Sequence, residues 1–356
     1  MILIIANARI KGGLSGGDNI YLHLADAIDK EWMKQFEVKG PGGFLIPEPL
    51  THNARVWQMI DTDFKPFLVC YVWKIIKGCW KALWDTTRYE FVYSASDFWM
   101  DALPAFILKL KGIPWVAGFY MFAPKGRRLY EFSQKVVIPL IERFADVVCV
   151  TNESLFKFNK PCVAVHGGVN LELVCGSNEE KLYDAVFVGR LHYTKGIKDL
   201  MDIWDRVIKK IPSAKLAIIG DGDGEAVTLK AWALSRTKNV KFLGFMGDER
   251  FNIYRKSKVV LYPTPHQYSH FSMAPIEAMA CGCPMVAYDI PEMSSLDTRQ
   301  GVYLASDIDD FTYYINQLIV KWDSILEVKV NAMNYGRTWD WSLRSKEIIR
   351  QIRSHL

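Results

Sequence analysis

Two hydrophobic rhythms alternate along the chain. Short, nearly unbroken apolar runs come first: Ile2-Leu3-Ile4-Ile5, Phe91-Val92-Tyr93-Ser94, Pro114 to Tyr120, Asp146 to Thr151 and Val163-Ala164-Val165. Further runs lie at Asp184 to Val188, Lys215 to Ile219, Val240 to Met246, Lys258 to Tyr262 and Met285 to Tyr288. Runs of this length without polar alternation predict strands covered on both faces. Between them apolar residues recur every three or four positions. Ile20, Leu24 and Ala27 share one helical face, and Asp101 to Lys111, Phe132 to Phe144 and Trp341 to Leu356 predict further helices. Strand, helix and strand in repetition build parallel, doubly wound sheets, so the expected class is α/β.

The chain is organised around Leu261 to Asp289, LYPTPHQYSHFSMAPIEAMACGCPMVAYD. A strand ends at Pro263, a polar loop follows, and a helix is expected to open near Phe271 with Glu277 two turns inside it. Gly282 and Pro284 supply the stop, and the next strand begins at Met285. In such a βαβ unit the loop opens beyond the carboxyl ends of the strands, where open α/β sheets bind ligands. The amides of Phe271, Ser272 and Met273 would favour an anion there. Upstream, Asp184 to Gly196 reads as a buried strand, then Gly189 and Arg190, then Lys195 across a loop into a helix. A flat bidentate guanidinium and a mobile ammonium in that arrangement form a diphosphate clamp.

Other segments carry weaker signals. The loop Lys11 to Asp18 holds Gly12, Gly13, Gly16 and Gly17, which let backbone approach a bound group closely or make an ordinary glycine-rich turn. It is not a dinucleotide fingerprint. From Phe67 to Trp84 the pattern is helical, with Lys74, Lys77 and Lys81 on one face and Val69, Val72, Trp73, Ile76, Trp80, Leu83 and Trp84 over the rest. That suits an interfacial membrane helix, and equally a buried helix with a solvated edge. Asp221, Asp223 and Glu225 superficially suggest a calcium loop but lack its bidentate glutamate, so a structural turn is expected. His192 is expected to be a loop residue.

Composition narrows the class. At 356 residues and 50% apolar content the chain exceeds one comfortable core and reads as two domains. A net charge of +5 suits phosphate ligands or an anionic surface and is too small to argue for nucleic acid. Seven cysteines without CxxC or Cys/His spacing point to a reducing compartment and no structural metal. No apolar run approaches the ~20 residues of a membrane span, and the first strand starts without a charged leader. A cytoplasmic protein, free or on the cytoplasmic membrane face, is expected.

The run P-x(n)-F-[GS]-x(4)-E-A-M-A-x-G-x-P-x-V-A resembles the nucleotide-sugar signature of the retaining GT-B glycosyltransferases, in particular glycosyltransferase family 4. The resemblance implies two Rossmann-like domains facing across a cleft: residues 1–170 binding the acceptor, 171–340 binding the donor, and a helix at 341–356 crossing back. His166-Gly167-Gly168-Val169-Asn170 is similar to the family's interdomain turn. Within the resemblance, Glu277 holds the ribose hydroxyls, while Arg190 and Lys195 neutralise the leaving diphosphate. His270, Phe271, Ser272 and Met273 line the phosphates and sugar, Phe245 and Met246 lie beside the base, and the glycine-rich first loop borders the acceptor. The family's other glutamate, eight residues before Glu277, is Ser269 here, in a loop about two residues longer than the family pattern counted from Pro263. Tyr120 stands nearest to the family's histidine beside the reacting sugar, where it either donates a hydrogen bond or forms an aromatic wall.

The function so implied is retaining, metal-independent transfer of a hexose from a nucleotide diphosphate sugar to a glycan or lipid-linked acceptor. No cofactor, no metal and no nucleic-acid partner is expected, and the segment 67–84 offers a membrane contact. The alternatives are a nucleotide-sugar-binding regulatory protein with reduced catalysis and a GT-B sugar-nucleotide epimerase.

Overall fold

A computed structural model describes residues 1–8, 16–28, 54–57, 67–123, 128–151, 158–174, 180–222, 224–265, 272–290, 293 and 296–356. The backbone divides into two units, Met1–Gly167 with Ser342–Leu356, and Gly168–Trp341.

In the first unit β1 (Ile2–Ile5), β2 (Ala54–Trp57), β3 (Val92–Ser94), β4 (Trp115–Phe119), β5 (Val147–Val150) and β6 (Cys162–Ala164) form one sheet in the order β2-β1-β3-β4-β5-β6. Every neighbouring pair is parallel. All residues of β1, β3, β4 and β5 are buried, which is why these runs lack polar alternation. Trp57, Trp115 and Phe119 are among the largest fully buried side chains of its core. The helix Gly16–Ile28 begins at Gly16, so Gly16 and Gly17 are helical positions rather than part of the expected loop, and Gly12 and Gly13 lie outside the described residues. The last helix, Trp341–His355, is fastened within this unit by a two-pronged ion pair from Arg353 to Glu90 at 2.7 and 3.0 Å.

The helix Phe67–Trp84 corrects one expectation. Its lysines do not share a solvated edge: Lys74 is buried, Lys77 is exposed and the Lys81 ammonium lies 4.6 Å from the centre of the Trp57 ring. The inward face runs through Cys70, Lys74, Gly78 and Ala82 and packs on the helix Trp99–Leu110. Close approach selects it, since a Cβ at position 78 would sit 2.9 Å from Pro104 Cγ. The bulky apolar residues are thereby turned outward.

The second unit repeats the plan with β7 (Tyr183–Val188), β8 (Leu216–Ile219), β9 (Val240–Gly244), β10 (Ser257–Tyr262), β11 (Met285–Tyr288) and β12 (Val302–Ala305), ordered β12-β11-β10-β7-β8-β9 and parallel throughout. Alternate residues of β7 serve opposite layers. Ala185 and Phe187 join Leu200, Trp204 and Val207, while Val186 joins Ile276 and Met279. The helix Ile197–Lys210 buries Ile197, Leu200, Ile203, Trp204 and Val207, a stripe at helical spacing.

This strand order places a topological switch between β7 and β10. From β7 the chain winds outward through β8 and β9, then returns to β10 and winds the other way. Loops leaving the carboxyl ends of β7 and β10 diverge and leave a crevice. One close contact closes its floor. Gly196, at φ 69°, follows the β7 loop, and a Cβ there would lie 1.7 Å from the Pro263 carbonyl oxygen after β10. Gly196→Ala combines a left-handed strain with a backbone clash, and is expected to lower stability by about 3 kcal/mol. Urea unfolding reads this directly; a wild-type midpoint in the variant would contradict the contact.

Candidate functional site

The β7 loop is built to hold one cation rigidly. His192 caps the short turn Tyr193–Lys195, its Nδ1 accepting from the Thr194 amide at 3.4 Å and pairing with the Thr194 hydroxyl at 2.9 Å. His192 is thus a loop brace. The half-buried Lys195 is carried inward, its ammonium 5.8 Å from the centre of the Tyr262 ring at the end of β10. Burial, and secondarily the charge of Arg190, lower its pKa from 10.5 to about 8. Arg190 is exposed. Among the described residues neither Arg190 nor Lys195 has a carboxylate partner. Their neighbours at the sheet end are backbone: Gly189 N–H donates to Ile219 O at 3.1 Å and Leu191 N–H to Asp221 O at 3.0 Å. The Asp221 carboxylate itself is held by the Gly222 amide and Lys230, as a structural turn requires.

Across the switch point, the helix Met273–Ala280 starts two residues later than expected, with Ser272 extended at its N-cap, so Glu277 stands one turn inside rather than two. Its first turn offers the amides of Met273 and Ala274, and Pro275 has none to offer. The far end closes as the sequence implies: Gly282, at φ 87°, donates to Met279 O and Cys283 to Ala278 O, the paired bonds of a Schellman stop.

Glu277 is buried and gripped by a residue the sequence did not single out. Arg250, opening the helix Arg250–Arg255, donates from Nε to Oε2 and from Nη2 to Oε1, both at 2.8 Å. Arg250 Nη1 ties back to the Gly247 carbonyl at 2.8 Å, and the buried Tyr254 hydroxyl reaches Glu277 Oε2 at 3.4 Å. Burial works against the Arg250 charge, but the bonds and charge of Glu277 outweigh it and hold the guanidinium above its usual range. Burial, then the Glu277 charge, push the Tyr254 phenol far up, so it stays protonated as a donor. The carboxylate is therefore fixed in orientation, with lone pairs left over for hydroxyl donors. Thr264 adds a buried hydroxyl without a partner among the described residues.

The remaining sequence candidates fall as follows. Gly189 lies at the end of β7; Phe245 is 77% exposed on the loop after β9, and Met246 packs against the core. Ser269, His270 and Phe271 lie outside the described residues. Tyr120 belongs to the first unit, where its hydroxyl pairs with that of the fully buried Tyr93.

Residues 183–321 match the family Glycosyl transferases group 1. The second unit carries a group 1 glycosyltransferase domain. The chain is 29% identical over 178 residues to an uncharacterized glycosyltransferase of Methanocaldococcus jannaschii, a stretch covering 48% of this chain and 44% of that protein. It is 26% identical over 255 residues to a phosphatidyl-myo-inositol mannosyltransferase of Mycobacterium tuberculosis, covering 67% of this chain and 66% of that one. The chain thus spans less than two thirds of these relatives' lengths. In fold it is similar to sucrose-phosphate synthase of Thermosynechococcus elongatus, with TM-score 0.72 and 16% identity over 99% of this chain and 98% of that one. It is similar also to Anabaena HepE in complex with UDP, with TM-score 0.66 and 16% identity over 99% of both. The architecture is GT-B, two Rossmann-like domains.

Within the group 1 domain Arg250 was hidden because its partner lies 27 positions away, and only the turn between β9 and β10 aims it. Truncating Glu277 to Ala strands a guanidinium that is itself mostly buried, which is expected to destabilise the domain by about 3 kcal/mol. In the double variant Arg250→Ala/Glu277→Ala part of that loss is recovered. A denaturation double-mutant cycle checks this, and additive single effects would contradict the pairing.

Proposed function

We propose that the chain is a retaining hexosyltransferase that moves a sugar from a nucleotide diphosphate sugar to a glycan or lipid-linked acceptor without a bound metal. The observation that carries this reading is the pair Arg190 and Lys195, which has no carboxylate partner among the described residues and lies on the loop that leaves β7 at the switch point, with the Lys195 ammonium over Tyr262 at the end of β10. The half-buried charge of Lys195, with exposed Arg190 near it, is unfavourable in an empty protein and favourable once a diphosphate arrives.

In the proposed reaction the bond from the sugar's anomeric carbon to the β-phosphate oxygen breaks, and that oxygen keeps the electron pair. An acceptor hydroxyl forms the new bond on the same face, and its proton passes to a diphosphate oxygen. Negative charge grows on the diphosphate as this happens, so donors fixed in advance lower the barrier. Lys195 and Arg190 meet that charge, with the Met273 and Ala274 amides. Glu277, held by Arg250, takes the ribose hydroxyls, and the exposed Phe245 and its neighbour Met246 flank the base. Ser269 and His270 are assigned to the transferred sugar. No step is assigned to Tyr120, whose hydroxyl is engaged by Tyr93.

Lys195 gives the reading a pH signature. Its free-state pKa of about 8 lies below the ordinary 10.5 of the unfolded chain, so the charged ammonium weakens stability at neutral pH and that penalty fades as pH rises from about 8 to 10.5. A bound diphosphate favours the charged form and raises the pKa. Nucleotide diphosphate affinity is therefore expected to fall by up to about tenfold per pH unit above pH 8, and Lys195→Ala to abolish that dependence.

The direct test is turnover of the purified chain with UDP-, GDP-, ADP- and dTDP-sugars and glycan or lipid acceptors. Release of one nucleoside diphosphate, unchanged in EDTA and reduced about 100-fold or more in Arg190→Ala and Lys195→Ala, is expected. Nucleotide binding without turnover on any acceptor would favour the regulatory reading, and no binding at millimolar concentration would end both.

A further inference from the structure

The first unit carries an apolar surface that the donor site does not use. On the helix Phe67–Trp84 the residues Val72, Trp73, Ile76, Trp80, Leu83 and Trp84 recur at helical spacing and are all 46% or more exposed, Trp84 reaching 70%. A second stripe stands on the helix Arg128–Phe144, where Leu129, Phe132 and Val136 are 78%, 59% and 46% exposed. Trp99 joins the two helices. Its amide donates to the Tyr71 hydroxyl at 3.3 Å, its indole N–H to the Ser133 carbonyl at 3.1 Å, and its ring lies 6.1 Å from that of Phe132. Three exposed tryptophans on one helix face exceed the scattered apolar exposure of an ordinary surface.

Charge decides what covers this face. The helix Phe67–Trp84 contains no acidic residue, and exposed Lys77 sits in the middle of its apolar stripe. On the second helix exposed Arg128, Lys135 and Arg143 outnumber exposed Glu142. A second copy of this surface would oppose cation to cation, whereas an anionic lipid leaflet complements it. Tryptophan is the side chain suited to the headgroup boundary, with an apolar body and a polar N–H. Crossing the bilayer is a different matter: among the described residues no helix is long and apolar enough for it. We propose that the outward faces of Phe67–Trp84 and Arg128–Phe144 form a seat that lays the first unit on an anionic bilayer surface, Trp73, Trp80 and Trp84 entering the headgroup region and Lys77 meeting its charge. The face that docks is the one opposite Lys74, and docking requires neither nucleotide nor the transferase reading.

The full chain, without nucleotide, should float with vesicles of mixed phosphatidylglycerol and phosphatidylcholine, less with phosphatidylcholine alone and less at high salt, and its tryptophan emission should shift to the blue on binding. Trp80→Glu/Trp84→Glu alters exposed positions only, so its circular dichroism and melting curve should match wild type while vesicle binding drops about tenfold or more. Lys77→Glu should weaken binding to the anionic vesicles and leave binding to neutral ones as it was. The proposal is overturned if the wild-type chain stays out of the vesicle fraction, or if the double tryptophan variant floats as well as wild type. It is also overturned if sedimentation shows a dimer that the tryptophan substitutions dissociate, which would assign the face to a second copy.

Discussion

The carbonyl oxygen of Pro263 occupies the place that a side chain at position 196 would take. That contact brings the β7 and β10 loops together at the bottom of the switch-point crevice, and much of the second unit follows from it. It fixes where the helix Ile197–Lys210 starts, and with it the stripe of Leu200, Trp204 and Val207 on the sheet. Lys195 precedes Gly196 directly, so the same constraint holds its ammonium over Tyr262 in a half-buried place that a longer or looser loop would let it leave. A charge held against solvation is primed to respond to an anion.

The two sides of the crevice treat charge in opposite ways. Glu277 and Arg250 neutralise one another through two short bonds, with Tyr254 behind them, and this fixes a carboxylate that can receive hydroxyl donors without carrying a buried net charge. Arg190 and Lys195 are left without such compensation among the described residues. In the proposed reading, a polar group that is oriented but neutralised and cations that are not neutralised divide the work of holding a nucleoside diphosphate, with its neutral ribose and its charged phosphates. Glu277 and Lys195 are held in place by protein contacts alone, which in that reading limits reorganisation on binding.

Much of this was legible in the sequence because parallel strands covered on both faces leave unbroken apolar runs. β3, β4, β5, β7, β8, β10 and β11 were all foreseen as strands, and Gly282 ended the helix where its left-handed φ allowed. Neither β2 nor β12 is among the expected strands: Arg55 interrupts the apolar run of Ala54–Trp57, and for Val302–Ala305 length gives no reason, since β6 is shorter. The start of the helix at Met273 was misjudged by two residues because Phe271 and Ser272 lack any breaker. Arg250 was missed because a bidentate pair is a property of tertiary aim rather than of spacing. The helix Phe67–Trp84 was ambiguous for a related reason: apolar residues cover most of its circumference, so periodicity cannot say which face is inward. The fit of Gly78 against Pro104 decides it, and no local pattern records that fit. Ser269, on which sugar choice turns in the family resemblance, lies outside the described residues.

The most direct measurement is backbone hydrogen exchange of the chain with and without a saturating nucleoside diphosphate. Slowed exchange in the loop Gly189–Gly196 and in the first turn of the helix Met273–Ala280, with the base-flanking Phe245 and Met246 the other segment protected, and lost in Lys195→Ala, is the expected result. Protection that spares the loop Gly189–Gly196 and that first turn, or that survives removal of Lys195, would contradict a diphosphate site at the β7 and β10 switch point.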